Sequence, residues 1–480
     1  MPRENIPTSR VVRSATIGRL AAGQAVRQFG TRAANLARGD EASEAALARR
    51  QVETAEQIVA VLGTMKGAAM KLGQVMSFLD VGLVPEPYRE EFQRKLAELR
   101  DAAPAVSFKE MTRVIESEFE DPLEEVFAHF DHEPIAAASI GQVYRATLHD
   151  GRAVAVKVQY PGVANAVRAD MKNLGMIMRL LSRMAPGLDV KEIAEEIRLR
   201  IDEELDYELE ASNQRAMARI FRGHPFVYVP EVIGSLSRER VMVSEFVTGT
   251  GFEELKRADA ETRNRIAEIV FRFYFGCMYR HHQFSGDPHP GNFMLLEDGR
   301  VAFLDFGLYK RLPPHLAEFE LEIARLGISR RGEELIERLH RGGFLAEPER
   351  YTPEQILQQF EDVTWWYTVD GTVELTPEIA TQIVIDMSDP RSRHFAQMRH
   401  ENLPPDHLFG RRTETLTLAV MSQLRASGNW HRIAREWIFG DAPATELGRA
   451  EAGFYGGGGL RPGGSEAARS SPGSRSEDQP

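Results

Sequence analysis

The pattern of apolar and polar positions changes twice along this chain. Residues 40 to 100 carry apolar residues at spacings of three and four (Ile58, Leu62, Met65, then Leu72, Val75, Met76 and Leu79), which predicts amphipathic helices. Residues 107 to 120 predict a further helix. From about 126 the period shortens to two. "QVYRATLHDGRAVAVKVQY" reads as two alternating strands joined at Asp150-Gly151, a strong hairpin signal. In the second strand Val154, Val156 and Val158 share one face while Ala155 and Lys157 share the other. A valine face packs on a core, so Lys157 is expected to face a cleft.

Helical periodicity returns from about 163 to 221, short strands follow near 227–233 and 240–247, and helices dominate from 248 to about 440. An extended stretch over 284–310 interrupts them. "EEIRLRIDEELDYELEAS" reads as one acidic helix with Ile197, Ile201, Leu205 and Leu209 as its buried stripe, and Asp206 and Glu210, four apart, on one flank. The Gly/Ser/Pro-rich end, from about 453, cannot bury a core and is expected to be disordered. Its four glycines lack the Gly-Lys-Ser/Thr ending of a phosphate-binding Walker loop.

Composition narrows the function classes. The 480 residues carry a formal charge of −12, which argues against nucleic acid as a partner. A single cysteine, Cys277, excludes an internal disulfide framework and a Cys-rich metal site. No run of about 18 apolar residues predicts a transmembrane helix, and no apolar segment near the start predicts a secretory signal. A cytoplasmic chain is expected. The first 38 residues nevertheless carry seven arginines against one acid, Glu4. They read either as a basic helix on the inner face of an anionic membrane or as a solvated, mobile arm, with a transit peptide as the third option.

The candidate chemistry lies in "SGDPHPGNFMLLEDGRVAFLDFGL". Asp287 and Asn292 are followed by Asp305-Phe306-Gly307, and a turn at Asp298-Gly299 would fold Asn292 and Asp305 side by side. A carboxylate and an amide suit Mg2+, so Asn292 and Asp305 are the candidate metal ligands. Asp287 suits the carboxylate that orients an acceptor and takes its proton. A zinc site from His281, His282, His289 and Asp287 is the rival reading, but it leaves the downstream Asp-Phe-Gly without a purpose. Lys157, then Asp287-x4-Asn292, then Asp305-Phe306-Gly307 is the order of protein-kinase parts. In that order Lys157 would hold ATP or ADP phosphates with a helix carboxylate as partner. "VMVSEFVTG" would supply the hinge, with Glu245, Phe246 and Val247 offering backbone groups to the base.

With "KLGQ" (Lys71 to Gln74), "AAASIGQVYRA", "VAVKVQYPG", "ELDYELEA", "GDPHPGN" and "LDFG", the sequence resembles the UbiB/AarF/Coq-type atypical kinase family, over residues 55 to 315. It looks most similar to the branch associated with ubiquinone biosynthesis. The resemblance implies an α+β, protein-kinase-like bilobal fold: a small β-sheet N-lobe and a helical C-lobe, preceded by a helical extension bearing the KxGQ motif. The expected segments are a basic arm (1–39), the extension (40–125), the N-lobe (126–247), the C-lobe (248–445) and a disordered tail (446–480).

It further implies that the extension covers the site, with Lys71 paired to Glu204 and Asp206, Gln74 as a latch, and Glu210 left for Lys157. Ala136, Ala137, Ala138, Ser139, Ile140, Gly141 and Val143 would border the nucleotide, as would Ala155 on the lysine strand. Alanines where kinases carry glycine restrict φ and predict a stiffer loop with altered nucleotide preference. Two departures from ordinary protein kinases bear on the acceptor. "SGD" replaces His-Arg-Asp, and no Ala-Pro-Glu follows "LDFGL" before a new helix. The expected activity is therefore that of an atypical kinase or ATPase with Mg2+ and nucleotide, acting on a lipid or isoprenoid-quinone precursor at a membrane surface. A nucleotide-gated scaffold or lipid chaperone is the alternative, and a protein kinase acting in trans is the third.

Overall fold

The computed structural model describes residues 106–138, 140–171, 178, 190–386 and 401–456. The arm, the KxGQ motif with Lys71 and Gln74, Ser139, and the chain beyond 456 lie outside the described residues.

The first lobe begins with α1 (Phe108–Phe119), which opens on a Ser107–Glu110 capping box and buries Met111, Val114 and Ile115. Then come β1 (His129–Phe130), β2 (Ala136–Ala138), β3 (Gly141–Thr147) and β4 (Ala153–Gln159). Helices α2 (Val163–Met171), α3 (Val190–Glu204) and α4 (Tyr207–Ile220) precede β5 (Val227–Tyr228) and β6 (Val241–Glu245). Strands β1, β3, β4 and β6 lie side by side in one antiparallel sheet, with β2 also paired to β3. The β3–β4 turn holds Gly151 at φ +87°, a conformation that favours glycine. Val154, Val156 and Val158 are buried, so the valine face packs on the core as the alternation predicts.

The sequence was expected to give one acidic helix through residue 210; the fold breaks it. Gln159, itself buried, donates to the carbonyl of Leu205 at 2.7 Å, and the amide of Tyr207 turns away to Glu239 O at 2.9 Å. Those partners take backbone groups that a continuous helix would need. Asp206 consequently stands outside both helices as the N-cap of α4, accepting from the amides of Glu208 and Leu209. Ile197, Ile201 and Leu205 are buried, but Leu209 is exposed, which corrects the expected stripe.

The second lobe is built around α5 (Ala260–Gly276), buried on nearly every side from Ile266 onward. Its last turn passes into a π-helical segment, Cys277–His281, ahead of β7 (Gln283–Ser285). β8 (Phe293–Leu295) and β9 (Val301–Phe303) form the expected hairpin, with Gly299 at φ +83°, and β10 (Tyr309–Arg311) pairs with β7. Helices α6 (Pro314–Ile328), α7 (Gly332–Arg341), α8 (Pro353–Thr368), α9 (Pro377–Asp386), α10 (Pro405–Gln423), α11 (Trp430–Ile438) and α12 (Glu446–Gly456) complete it. α12 corrects the expectation of disorder from 446: it is helical, buries Leu447 and Glu451, and sends Tyr455 to within 2.8 Å of His281 Nε2. Arg272, fully buried in α5, pairs with Glu268, with Glu436 on α11 and with Glu451 on α12. That ion-pair cluster gives the glycine-bearing helix a reason to dock that glycine content alone does not reveal.

Candidate functional site

The site lies between the two lobes, and the sheet sets its upper wall. Because facing residues of an antiparallel pair project to the same side, the register Val143↔Lys157↔Met242 and Arg145↔Ala155↔Ser244 places all six on the face opposite the buried valines. Lys157 Nζ reaches from this face to both oxygens of Glu210 on α4, at 2.7 and 2.9 Å, and to Asp305 Oδ2 at 3.2 Å. Its ammonium also stands 5.0 Å above the ring of Tyr207. Burial alone would push the Lys157 pKa down, but Asp305 and Glu210 outweigh it and hold it well above the ordinary lysine value. Burial raises the Glu210 pKa, with Lys157 opposing that rise. Thus Lys157, Glu210 and Asp305, far apart in the sequence, meet at one point.

The alanine segment is not an open loop over its described length. Ala136, Ala137 and Ala138 form β2 and pair with Val143, Gln142 and Gly141 in a tight hairpin over the edge of the sheet. Ile140 is buried, and its carbonyl accepts from the amide of Tyr160 at 2.9 Å. Glycine is required at 141 by close approach, since a Cβ there would stand 2.1 Å from Val158 O and 3.0 Å from the Tyr207 hydroxyl. The next connection is equally tight. A Cβ on Gly249 would meet Leu295 O at 2.4 Å, where Thr250 and Leu295 exchange backbone hydrogen bonds. The segment Glu245–Val247, expected as a hinge, leads into this crossing, with the Glu245 carboxylate bonded by the Tyr228 hydroxyl and the Phe246 amide donating to Ala153 O at 3.1 Å.

On the lower wall, Asn292 Nδ2 donates to the carbonyl of Asp287 at 3.0 Å and to its Oδ2 at 3.3 Å. The amide of Leu304 donates to Asn292 O at 2.9 Å, which ties the strand leading to Asp305 onto the Asn292 loop. Asp305 Oδ1 accepts from the amide of Gly307 at 3.0 Å. These contacts hold Asn292 and Asp305 on adjacent backbone, and one amide oxygen plus one carboxylate suit a hard cation. Among the described residues no group of three His, Cys, Asp or Glu side chains is arranged to hold a metal ion by itself. Two of the three histidines of the zinc alternative are engaged elsewhere: His281 with Tyr455, and His289 as acceptor from the Gly291 amide.

Sequence reasoning missed Arg412. This residue of α10 is buried, and its guanidinium donates to Gly286 O at 2.6 Å and to Asp287 Oδ1 at 3.1 Å. It places a buried cation directly against the Asp287 carboxylate. Its neighbour Arg411 anchors the same helix to α6 through Glu320 at 2.7 Å and pairs within the helix with Glu414 at 3.4 Å. The only signal in the sequence was a pair of arginines in an otherwise mixed helix. Glu204 is buried at the end of α3, and Asp206 caps α4, so the two acids expected to face Lys71 sit on either side of the helix break.

No described helix is long and apolar enough to cross a membrane. Residues 98–329 match the family described as the ABC1 atypical kinase-like domain. The chain is 31% identical over 354 residues to the atypical kinase coq-8, mitochondrial, of Caenorhabditis elegans, covering 71% of this chain and 46% of that one. It is 30% identical over 322 residues to the atypical kinase COQ8B, mitochondrial, of Danio rerio, covering 66% of this chain and 51% of that one. The chain therefore spans about half the length of these curated relatives. A solved structure from Mycobacterium tuberculosis, Rv3197 in complex with erythromycin, superposes with a TM-score of 0.58 at 30% identity, over 83% of this chain and 98% of that one. With the Lys157–Glu210–Asp305 cluster set between a small antiparallel sheet and a helical lobe, this chain belongs to the ABC1 atypical kinase-like family, whose relatives include the COQ8 and AarF kinases.

Proposed function

We propose that this protein is an atypical kinase or ATPase that binds Mg-nucleotide between its lobes and supports isoprenoid-quinone or related lipid metabolism at a membrane surface. The observation that carries the reading is the Lys157 ammonium held by both oxygens of buried Glu210 while it faces Asp305. Such a lysine is preorganised to position phosphate oxygens, because its rotamer is fixed before any ligand arrives. The bases of ATP and ADP would lie against Val143, Ala155 and the hinge Glu245–Val247, below the paired strands Ala136–Ala138 and Gly141–Val143. Mg2+, held by Asn292 and Asp305, would neutralise charge on the phosphates. Asp287 orients the attacking hydroxyl or water and accepts its proton as the terminal phosphoryl group passes to that oxygen and the nucleoside diphosphate leaves.

The ubiquinone assignment rests on the COQ8 names of the relatives and on the retained "KLGQ" and "ELD" motifs. A lipid acceptor is favoured over a peptide because α6 begins at Pro314, seven residues after Gly307, leaving no long activation segment. Metal-dependent binding tests the nucleotide part. Asp305→Asn should lose most Mg-ATP affinity in a calorimetric titration, and unchanged affinity would overturn it.

One observation favours a second reading, a nucleotide-gated scaffold or lipid chaperone with little turnover. Both oxygens of Asp287 are engaged, Oδ1 by Arg412 and Oδ2 by Asn292. Phosphate release measured with and without anionic liposomes and a quinone precursor separates the two. Turnover with a phosphorylated organic product supports the kinase; slow release without one supports the switch.

A further inference from the structure

Behind the site, contacts from three of its supporting segments converge on one buried ammonium, Lys310. It lies on β10, three residues after Gly307. β10 pairs with β7, and the Gly286 amide donates to Leu308 O at 2.7 Å, so the chain after Asp305 is bonded to the chain before Asp287. From this strand Lys310 Nζ donates to Glu196 Oε1 on α3 at 2.7 Å and stands 3.5 Å from Asp406 Oδ1 at the start of α10. Arg200, four residues along α3, closes the cluster. Its Nε donates to the same Glu196 oxygen at 3.0 Å, and its Nη1 to Glu203 Oε2 at 2.6 Å and to the Tyr309 carbonyl at 3.3 Å.

The cluster crosses between the lobes close to the reactive groups. α3 ends at Glu204 and α4 begins at Tyr207 after the break, so Glu203 precedes Glu210 by seven residues. Tyr309 follows Asp305 by four. Asp406 shares α10 with Arg412, which holds Asp287. Stability alone accounts poorly for such a cluster. The Lys310 and Glu196 side chains are 8% and 13% exposed. Desolvating them offsets much of their attraction, and apolar replacement of a buried pair is often neutral. Asp406, 67% exposed, adds little. What two cations sharing one carboxylate do fix is the spacing of two backbone segments from opposite lobes.

We infer that Lys310 is a positioning residue: by clamping β10 to α3 it sets the separation of Glu210 from Asp305, and with it the place of Lys157 between them. This inference rests on the kinase reading above and deepens it, because that separation bears on turnover only if nucleotide phosphates and Mg2+ occupy the cleft. Displacing reactive groups by about 1 Å costs on the order of a hundredfold in rate. Loss of the clamp should therefore be read in turnover well before it is read in stability.

The test compares the full native chain with Lys310→Met, Glu196→Gln and the double variant, with anionic liposomes and a quinone precursor present. Lys310→Met leaves Glu196 paired with Arg200, so no buried carboxylate is stranded. Phosphate release from Mg-ATP should fall by at least about tenfold in each single variant, and the double variant should lose no more than about threefold beyond either. The urea midpoint of Lys310→Met should stay near the native value. Amide hydrogen exchange should quicken over both 305–311 and 205–211, segments of different lobes. Unchanged turnover, losses that multiply in the double variant, a urea midpoint that falls with turnover, or faster exchange confined to 305–311 overturns the inference and leaves the kinase reading standing. A native chain that releases no phosphate and forms no phosphorylated product overturns that reading and the inference with it.

Discussion

Arg412 donates to Asp287 across 125 residues of sequence, at 3.1 Å, and to the neighbouring Gly286 carbonyl at 2.6 Å. A helix from the far end of the second lobe thus fixes the loop that carries the candidate catalytic carboxylate. The buried guanidinium needs those acceptors as much as the loop needs a donor. Arg411, one residue earlier, ties the same helix to α6 through Glu320, so the loop is referenced to the helical lobe as a whole.

Removing that donor should lower turnover more than nucleotide binding. Arg412→Ala is expected to cut phosphate release by at least about tenfold, a fraction of the roughly hundredfold or more that a positioned acid–base group contributes, while Mg-ATP still binds. Calorimetry beside single-turnover assays reads both. Equal losses in the two, or no loss, would show that the contact only supports the fold.

The Lys157–Glu210 pair should behave as a unit. Lys157→Met leaves Glu210 buried without its cation, and Glu210→Gln removes the anchor from Lys157. Each variant should lose nucleotide affinity and stability. The double variant should cost less than the sum, by about 0.5–3 kcal/mol of coupling in urea unfolding. Strict additivity would count against a shared contact.

Backbone approach at the alanine hairpin gives two opposed substitutions. Gly141→Ala would drive a Cβ to within 2.1 Å of Val158 O, so it should destabilise the sheet edge and weaken nucleotide binding. Ala138→Gly, directly opposite in the hairpin, relaxes the backbone and should shift the ratio of ATP to ADP affinity or release autophosphorylation. If neither responds, the hairpin is a spacer.

Acid should loosen the C-terminal helix first. Burial, aided by His281, Arg280 and Arg272, lowers the His224 pKa to about 3. Burial, with Arg280 and His282, lowers the His281 pKa to about 4. The two rings pack on Phe454 and Tyr455 of α12. The folded state binds fewer protons here than the unfolded chain, so stability from these residues is complete above the unfolded histidine pKa near 6.5. It is lost as pH falls from there through about 4. For His281 alone the loss is on the order of 3 kcal/mol. Melting temperature against pH for the native chain and for His224→Phe checks this; an identical slope between pH 6.5 and 4 would refute the assignment.

Much of the fold was legible because its signals are local. Alternation in "AVAVKV" fixes which side Lys157 takes, since a strand has only two faces. The Asp150-Gly151 and Asp298-Gly299 turns close their hairpins through backbone conformations that glycine permits. The motif order from Lys157 to Asp305 pointed to kinase-like parts, and the further motifs, "KLGQ" and "AAASIGQVYRA" among them, carried the family resemblance. The acidic helix failed for a physical reason equally specific: its break at Leu205–Tyr207 is made by Gln159 and Glu239, distant residues that capture its backbone groups.

The sequence by itself determined the two periodicities, the turns and the identity of the reactive side chains, because each follows from residues a few positions apart. Only the tertiary structure decided that Asp206 caps a helix rather than flanking Glu210, that α12 docks through Arg272 and the buried histidines, and that Arg412 holds Asp287. The contacts that decide these join distant residues: Gln159 with Leu205 and Tyr207 with Glu239 break the helix at Asp206, and Arg272–Glu451 and Arg412–Asp287 each span more than a hundred positions. Hydrophobic patterning specifies which face of a helix is buried, but not which buried cation will meet which carbonyl once the lobes have packed.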